Sequence, residues 1–364
     1  VGGQNVVTQT GSAPRRDWIV SVDEPVLVTG SNGFVGSRVV RSLLDLGLHQ
    51  IRCFVRPSSD LGRLEQATHA NGRSASDRIE IVEGNLLSRE ACMRAVSGVS
   101  VIFHLAAGMD KSFAGCFMNS VLTTRNLLEA GRAGNPAKRF VNVSSFAVYS
   151  NLSMPRGSWL DESAPLESEP TERQDPYGYA KLKQEQLVQQ YGETHAIPYV
   201  ILRPGAVFGP GKSSLSGRVG IDTFGPFLHM GGSNELPLTY VDNCADAIVL
   251  AGLVSGVDGH VFNVIDDDLP TSRAFFREYK RHARSIRSIP VPYPMAYLLS
   301  SLWESYSVRS GGQLPARFNR RRCAAEWKGN RYSNRKLKEL TGWTPRVPFE
   351  QASRNFFEYV RAQG

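Results

Sequence analysis

Two tyrosine–lysine pairs overlap in the segment YGYAKLK (177–183): Tyr177 stands four residues before Lys181, and Tyr179 four before Lys183. A phenol beside an ammonium can move a proton, because the positive charge favours the phenolate. Free tyrosine titrates near ~10, so a base working at neutrality needs a depression of roughly three units, or ~4 kcal/mol. An adjacent ammonium and a positive nicotinamide ring would supply it. Tyr177 would then take a hydroxyl proton as hydride leaves carbon, or return it in reduction. Lys181 would also hydrogen-bond the nicotinamide ribose, and a nearby serine would orient the substrate oxygen. VNVSSFAVYS (141–150) offers both Ser144 and Ser145.

Helix geometry separates the two pairs. Asp175 as cap and Pro176 as first residue open a helix predicted over 176–193. At ~100° per residue, Tyr177, Ala180, Lys181, Gln184, Leu187, Val188 and Tyr191 share a mostly apolar face. Tyr179, Lys183, Gln186, Gln189, Gln190 and Glu193 share the opposite, polar one. Chemistry therefore falls to the inward pair, and Tyr179 and Lys183 are expected in water. An interior tyrosine satisfied by one hydrogen bond is the structural alternative. A second motif decides between them.

That motif is VTGSNGFVGS (28–37), with Gly30, Gly33 and Gly36 between a short apolar run and a helical pattern. Such a turn lets phosphate oxygens approach the backbone, and the following helix N-terminus favours a pyrophosphate. The spacing is G-x-x-G-x-x-G, so strand-to-helix context carries the argument. Asn32, Phe34 and Val35 complete the loop. Twenty residues past Gly36 stands Arg56, where an acidic residue would hold the NAD ribose and an arginine suits the extra phosphate of NADP. NADP is favoured over NAD.

The elements that must position these groups alternate. Strands are expected at 25–30, 51–55, 79–84, 101–107, 139–145 and 199–205, separated by helical patterns, with a polar loop from 56 to about 78. Such alternation is the mark of an α/β fold, a doubly wound parallel sheet of the Rossmann kind. After 208 the rhythm breaks, and 238–252 and 260–265 read as a return to the sheet. The expected division is a flexible tail at 1–24, a dinucleotide-binding domain at 25–208 plus 237–265, and a smaller mixed substrate-binding lobe at 209–236 plus 266–364.

Composition narrows the partners. Five scattered cysteines form no C-x-x-C pair, which suggests a reduced cytoplasm and no zinc. No metal spacing is present among the seven histidines, and His104 reads as packed. No apolar run reaches the ~20 residues of a membrane span, so no membrane partner is expected. The first residues lack the pattern of a signal peptide. Between Pro270 and Leu340 there are sixteen Lys or Arg and four Asp or Glu, +12 against +8 for the whole chain. A basic lobe on a mildly acidic body suggests a small anionic substrate. RFNRRRC (317–323) has few interleaved aromatics, and nucleic acid is not expected. AVFGPGKS (206–213) fits a relaxed phosphate-loop pattern, but the glycines after it oppose the helix that loop requires.

Together the motifs resemble the extended short-chain dehydrogenase/reductase family, of the NAD-dependent epimerase/dehydratase type. VLVTGSNGFVGS, VEGNLL, FHLAA, NLLEA, VNVSSFAVYS, DPYGYAK, LRPGAVFGPG, YVDNCADAI and LTGWTPRVPFEQ occur in the expected order between about Pro25 and Phe357. The resemblance implies Ser145, Tyr177 and Lys181 as the catalytic set. It implies Asn85 and Leu86 at the adenine, Leu105, Ala106 and Ala107 beneath the cofactor, and Pro204 and Gly205 near the carboxamide. It also implies a homodimer through the helices carrying Asn119–Ala133 and Tyr177–Tyr191. Two departures stand out. Phe146 and Ala147 replace the Asp-Glu that dehydratases carry after the catalytic residue, so water elimination is not expected. Leu238 and Thr239 replace the Arg-Asp by which many epimerases grip pyrophosphate. Either Arg218, Arg273 or Arg317 of the basic lobe does that job, or the substrate lacks a diphosphate; Phe146 is also expected near the substrate. The reading is oxidation, reduction or epimerisation of a secondary alcohol or ketone, leaning to a nucleotide-activated sugar. Reductases of the dihydroflavonol or hydroxysteroid kind are the alternative. A cofactor-sensing protein without catalysis is more remote.

Overall fold

The computed structural model describes residues 17–69, 76–133, 136–223, 225–311, 313 and 316–364. Seven parallel strands form the central sheet: β1 (Val26–Thr29), β2 (Ile51–Val55), β3 (Ile79–Glu83), β4 (Val101–His104), β5 (Arg139–Val143), β6 (Tyr199–Pro204) and β7 (Val261–Val264). Their order is 3-2-1-4-5-6-7, so the chain reverses direction between β1 and β4. Ligands of open α/β sheets bind at the carboxyl ends of strands beside such a reversal. Both faces of its middle are covered, which is why β1, β4 and β6 are apolar along most of their length, while the edge strand β3 is largely exposed. One face packs Val26, Val28, Val101 and Phe103 beneath α1 (Gly36–Asp45) and the helix Val241–Leu253. The other packs Leu27, Ile102 and Phe140 against Leu127, Leu128 and Val188. Alternation along each strand divides the residues between the two cores.

Three expectations change. Residues 17–24, read as tail, are packed: Ile19 N donates to the Leu253 carbonyl at 2.9 Å, and Val20 is buried in the sheet core. The remainder of that tail, residues 1–16, lies outside the described residues, as do 70–75 of the expected polar loop, which otherwise contains a helix at Gly62–Thr68. Residues 241–253, read as sheet, are helical: Ala, Ile, Val and Leu bury most of the helix, and only the stripe of Asp242, Asp246 and Leu250 is partly exposed. Finally, the boundary between domains is interleaved. Leu337 and Trp343, assigned to the lobe, belong to the sheet core, while Phe208, Leu238 and Tyr240, assigned to the first domain, pack with Phe275, Phe276 and Phe356 of the lobe. Ala206–Phe208 and Leu238–Tyr240 form their own two-stranded ladder.

Candidate active site

Glycine is required where β1 turns into α1. Gly30 has φ +69°, and a Cβ there would meet Ala106 N at 2.9 Å. A Cβ on Gly36 would overlap the Gly30 carbonyl oxygen, so the helix can seat this closely only without a side chain. The turn opens on a cleft of about 790 Å³ lined by Gly30, Asn32, Gly33, Arg56, Asn85, Leu86, Leu105, Ala106 and Ala107, all anticipated from the sequence. Phe34 and Val35 instead turn their side chains into the cores, leaving only their backbone for a ligand. Asn85 Oδ1 already accepts from Leu87 N at 2.9 Å, which fixes the amide in the cleft wall. Asp60, Arg63, Met109, Asn119 and Thr123 also line the cleft and were not anticipated. They come from loops and from a helix whose register no local pattern reveals. The cradle fits a dinucleotide: its floor is bare backbone, and its ribose end carries two arginines.

Ser145, Tyr177 and Lys181 do not line this cleft. Ser145 follows β5 and caps the short helix Phe146–Val148, its Oγ accepting from Ala147 N at 3.1 Å. Facing it is the long helix Pro176–His195, here α2, capped by Asp175 Oδ1 on Gly178 N at 3.0 Å. Tyr177 lies half-buried on it, near enough to Ser145 for the serine to act on the phenol. Burial pushes the phenol up to about 12, opposed by the Ser145 hydrogen bond and reinforced by Asp175 and Cys116. The sequence argument needed the opposite shift. The difference is physical: without an adjacent positive charge, desolvation is the strongest influence on a phenol.

Lys181 explains why that charge is absent. Its Nζ lies 6.0 Å from the Tyr177 ring centroid and donates instead to the Val143 carbonyl at 2.6 Å and to Gln184 Oε1 at 3.0 Å. Burial brings the ammonium down to about 8, with Glu185 acting the other way. Two of its three protons are placed, and one is left for a ligand or for the phenol.

From Lys181 a buried chain of hydrogen bonds runs back under the cleft. Gln184 Nε2 donates to Thr124 Oγ1 at 2.7 Å, and Thr124 donates its own proton to the Ser120 carbonyl at 2.6 Å. His104 Nε2, 2.9 Å from Thr124 Oγ1, must therefore carry the proton. Its Nδ1 then accepts from Thr29 Oγ1 at 2.8 Å, and Thr29 in turn receives Ala106 N at 3.3 Å. Burial holds His104 down at about 3, so the ring is neutral and this assignment is self-consistent. The signal for the chain was present in the sequence: an amide, Gln184, on an apolar face needs partners.

The expected separation of the two pairs is only partly met. Ala180, Lys181, Gln184 and Val188 are buried, but so are Gly178, Leu182 and Glu185, because the helix is covered on a second side. Tyr179 is not in water: its ring meets Phe113 edge-on at 5.4 Å and Phe117 at 6.4 Å. Lys183 Nζ donates to Gln186 Oε1 on the exposed side. Glu185 is tied to Arg203 of β6, with Nη2 to Oε2 at 2.6 Å.

The remaining anticipated residues are scattered. Pro204 ends β6 level with Ser145, since Val143 pairs with Leu202, and neither Pro204 nor Gly205 lines the cleft. Phe146 is 3% exposed and packs edge-on against Tyr149 at 5.4 Å and beside Tyr332 at 5.8 Å, so it forms wall rather than contact surface. Tyr332 in turn meets Arg218, whose Nη1 also donates to the Ala325 carbonyl at 3.0 Å. Arg218 is thus one ring away from Phe146. Arg273 is exposed beside His229, and Arg317 is exposed next to Phe318; neither joins this group. Leu238 and Thr239 are buried. After Gly209 of the AVFGPGKS segment no helix follows, and Lys212 Nζ folds back towards the Val207 carbonyl, so the phosphate-loop pattern has no structural counterpart.

Comparison with known proteins agrees with this geometry. Residues 26–264 match the model of the NAD dependent epimerase/dehydratase family. The chain is 26% identical over 343 residues to a 2-alkyl-3-oxoalkanoate reductase of Stenotrophomonas maltophilia, covering 90% of this chain and 97% of the relative. It is 32% identical over 201 residues to a 3 beta-hydroxysteroid dehydrogenase/Delta 5-->4-isomerase of Mycobacterium tuberculosis, 52% of this chain and 49% of that protein. Among solved structures, a UDP-glucuronic acid 4-epimerase of Bacillus cereus in complex with UDP-glucuronic acid and NAD superposes with a TM-score of 0.69 at 20% identity, over 93% of this chain and 100% of that one. With a family model spanning more than half of its length, this chain belongs to the NAD-dependent epimerase/dehydratase family.

Proposed function

We propose that the protein is an NADP(H)-dependent reductase of a ketone on an anionic substrate that is not a nucleotide sugar, with Tyr177 as the proton donor. The observation carrying this reading is the pair Arg56 and Arg63 at one end of the cleft, which suits the extra phosphate of NADP(H). Burial raises the Tyr177 phenol, so it rests protonated at neutral pH, the form that a proton donor to a ketone needs.

When bound, the nicotinamide supplies the hydride. The chain's own groups do the rest. Ser145 Oγ orients the ketone oxygen, and Tyr177 Oη delivers a proton to it as negative charge develops. Lys181, held by Val143 and Gln184, has one proton free to hold a ribose hydroxyl. Its charge also stabilises the phenolate left behind, which eases proton donation to the ketone oxygen, and solvent then reprotonates the phenol. At the far end, Arg56 and Arg63 line the cleft where a ribose 2′-phosphate would sit, which supports NADP(H) over NAD.

Two features move the substrate away from a nucleotide sugar. Leu238 and Thr239 are buried and uncharged where a pyrophosphate-gripping arginine is expected, and the 2-alkyl-3-oxoalkanoate reductase matches nearly end to end. Arg218, behind Tyr332, would meet a carboxylate. The basic lobe and the epimerase-like fold support sugar nucleotides as the second reading. Family likeness also supports a homodimer through the helices carrying Asn119–Ala133 and Tyr177–Tyr191. The experiment is to offer purified protein NADPH or NADH with a 2-alkyl-3-oxoalkanoate or with UDP-glucuronic acid. NADPH consumed in step with keto acid is expected, with Tyr177→Phe slower by about 10²–10⁴. Tightly retained NAD with sugar interconversion and no net cofactor consumption would instead establish an epimerase.

A further inference from the structure

The helix Tyr293–Arg309, here α3, has its amphipathicity reversed. The side facing the protein presents Ala296, Ser300 and Ser307, with Tyr293 and Tyr297 half-buried against Cys323 and Trp327. The side facing out presents Met295, Leu298, Leu299, Leu302 and Tyr306, a stripe at the i, i+3, i+4, i+7, i+11 spacing of one helix face. Leu298 is 58%, Leu302 60% and Tyr306 58% exposed. Trp303 and Phe318, rings edge-on at 6.4 Å, extend it sideways. Folding alone would place leucines inward, and a contiguous exposed apolar patch of this kind marks an interaction surface.

Charge identifies the partner. From Arg284 to Arg322 the chain has seven arginines and one acid, Glu304. Glu304 is paired with Arg320, and Arg321 with Glu167 and Glu172. Arg284, Arg287, Arg309, Arg317 and Arg322 have no ion pair among the described residues. Arg309 falls on the same helical stripe as Leu298 and Leu302, at ~100° per residue. Arg317 adjoins Phe318. A second copy of the chain would bring these unpaired arginines together. A bilayer with anionic headgroups accepts the leucines and aromatic rings at its interface and the guanidinium groups among its phosphates.

We propose that α3 is an interfacial helix that docks the substrate lobe onto an anionic lipid surface. It lies on the membrane and does not cross it: no helix among the described residues is long and apolar enough to span. This departs from the expectation of no membrane partner, and it stands whichever substrate reading holds.

Cosedimentation of the full chain with phosphatidylglycerol/phosphatidylcholine vesicles, and with phosphatidylcholine alone, tests it. The parent protein is expected to pellet with the anionic vesicles, less so as salt rises, and weakly with the neutral ones. Leu298→Glu/Leu302→Glu should lower vesicle affinity at least about tenfold. Both positions are exposed, so circular dichroism and NADPH binding should match the parent. Failure of the parent to pellet with either vesicle would overturn the proposal, as would equal pelleting of the variant. Self-association of the parent that the variant abolishes, without lipid binding, would assign the stripe to a second copy instead.

Discussion

The two halves of this molecule treat charge in opposite ways. Around the sheet, two buried arginines are fully paired: Arg203 grips Glu185, and Arg139 is held by Asp258 and the carbonyls of Ala251, Gly252 and Val254. In the lobe, five arginines between 284 and 322 have no carboxylate among the described residues, and a row of leucines faces out. A buried charge without its partner costs several kcal/mol, whereas an exposed one costs little. The sheet half must therefore satisfy itself, while the lobe can leave groups open for substrate or surface.

Breaking the sheet half should cost most. Arg203→Leu leaves Glu185 buried and unpaired, and chemical denaturation should show a loss of about 3–5 kcal/mol. Adding Glu185→Leu should recover most of it, which separates lost pairing from lost packing. Gly36→Ala forces a methyl onto the Gly30 carbonyl; a loss of about 1–3 kcal/mol is expected, with NADPH affinity falling as the turn is pushed open.

The seam between the halves offers a finer test. Asp266, just past β7, accepts from Tyr240 N at 2.9 Å and from Thr239 Oγ1 at 3.3 Å, both in the lobe-side strand. Burial pushes its carboxyl from 3.8 up to about 7. The folded state then keeps a proton that the unfolded chain releases above about pH 4. The contribution to stability is whole below that pH and is lost as pH rises through about 7. Asp266→Asn lacks this slope, so its stability relative to the parent should rise by roughly 2 kcal/mol between pH 4 and 7, read from denaturant midpoints at each pH. Smallest of all, Arg322→Ala in the lobe should change stability by no more than about 0.5 kcal/mol, and a larger loss would show that the lobe's charges are paired after all.

Much of the nucleotide half was legible because its signals are local. Gly36 is dictated by its close approach to the Gly30 carbonyl and Gly30 by its positive φ, and the strand runs by burial on both faces. The catalytic helix was located by its cap and period, yet the neighbours of Tyr179 were not, since Phe113 and Phe117 lie some sixty residues earlier in the chain. The lobe was legible only as a sum of charge, because which arginine is paired depends on carboxylates distant in sequence.

Residue types and spacing by themselves determined the doubly wound sheet, the glycine turn, and the choice of Tyr177 and Lys181 over Tyr179 and Lys183 as the candidate pair. Tertiary structure alone decided that Lys181 leans on Val143 and Gln184, that His104 carries its proton on Nε2, and that the leucines of α3 face outward. The reason is one of range. Backbone turns and helical period are set by neighbours in the chain, whereas protonation, pairing and exposure are set by whatever the fold brings alongside.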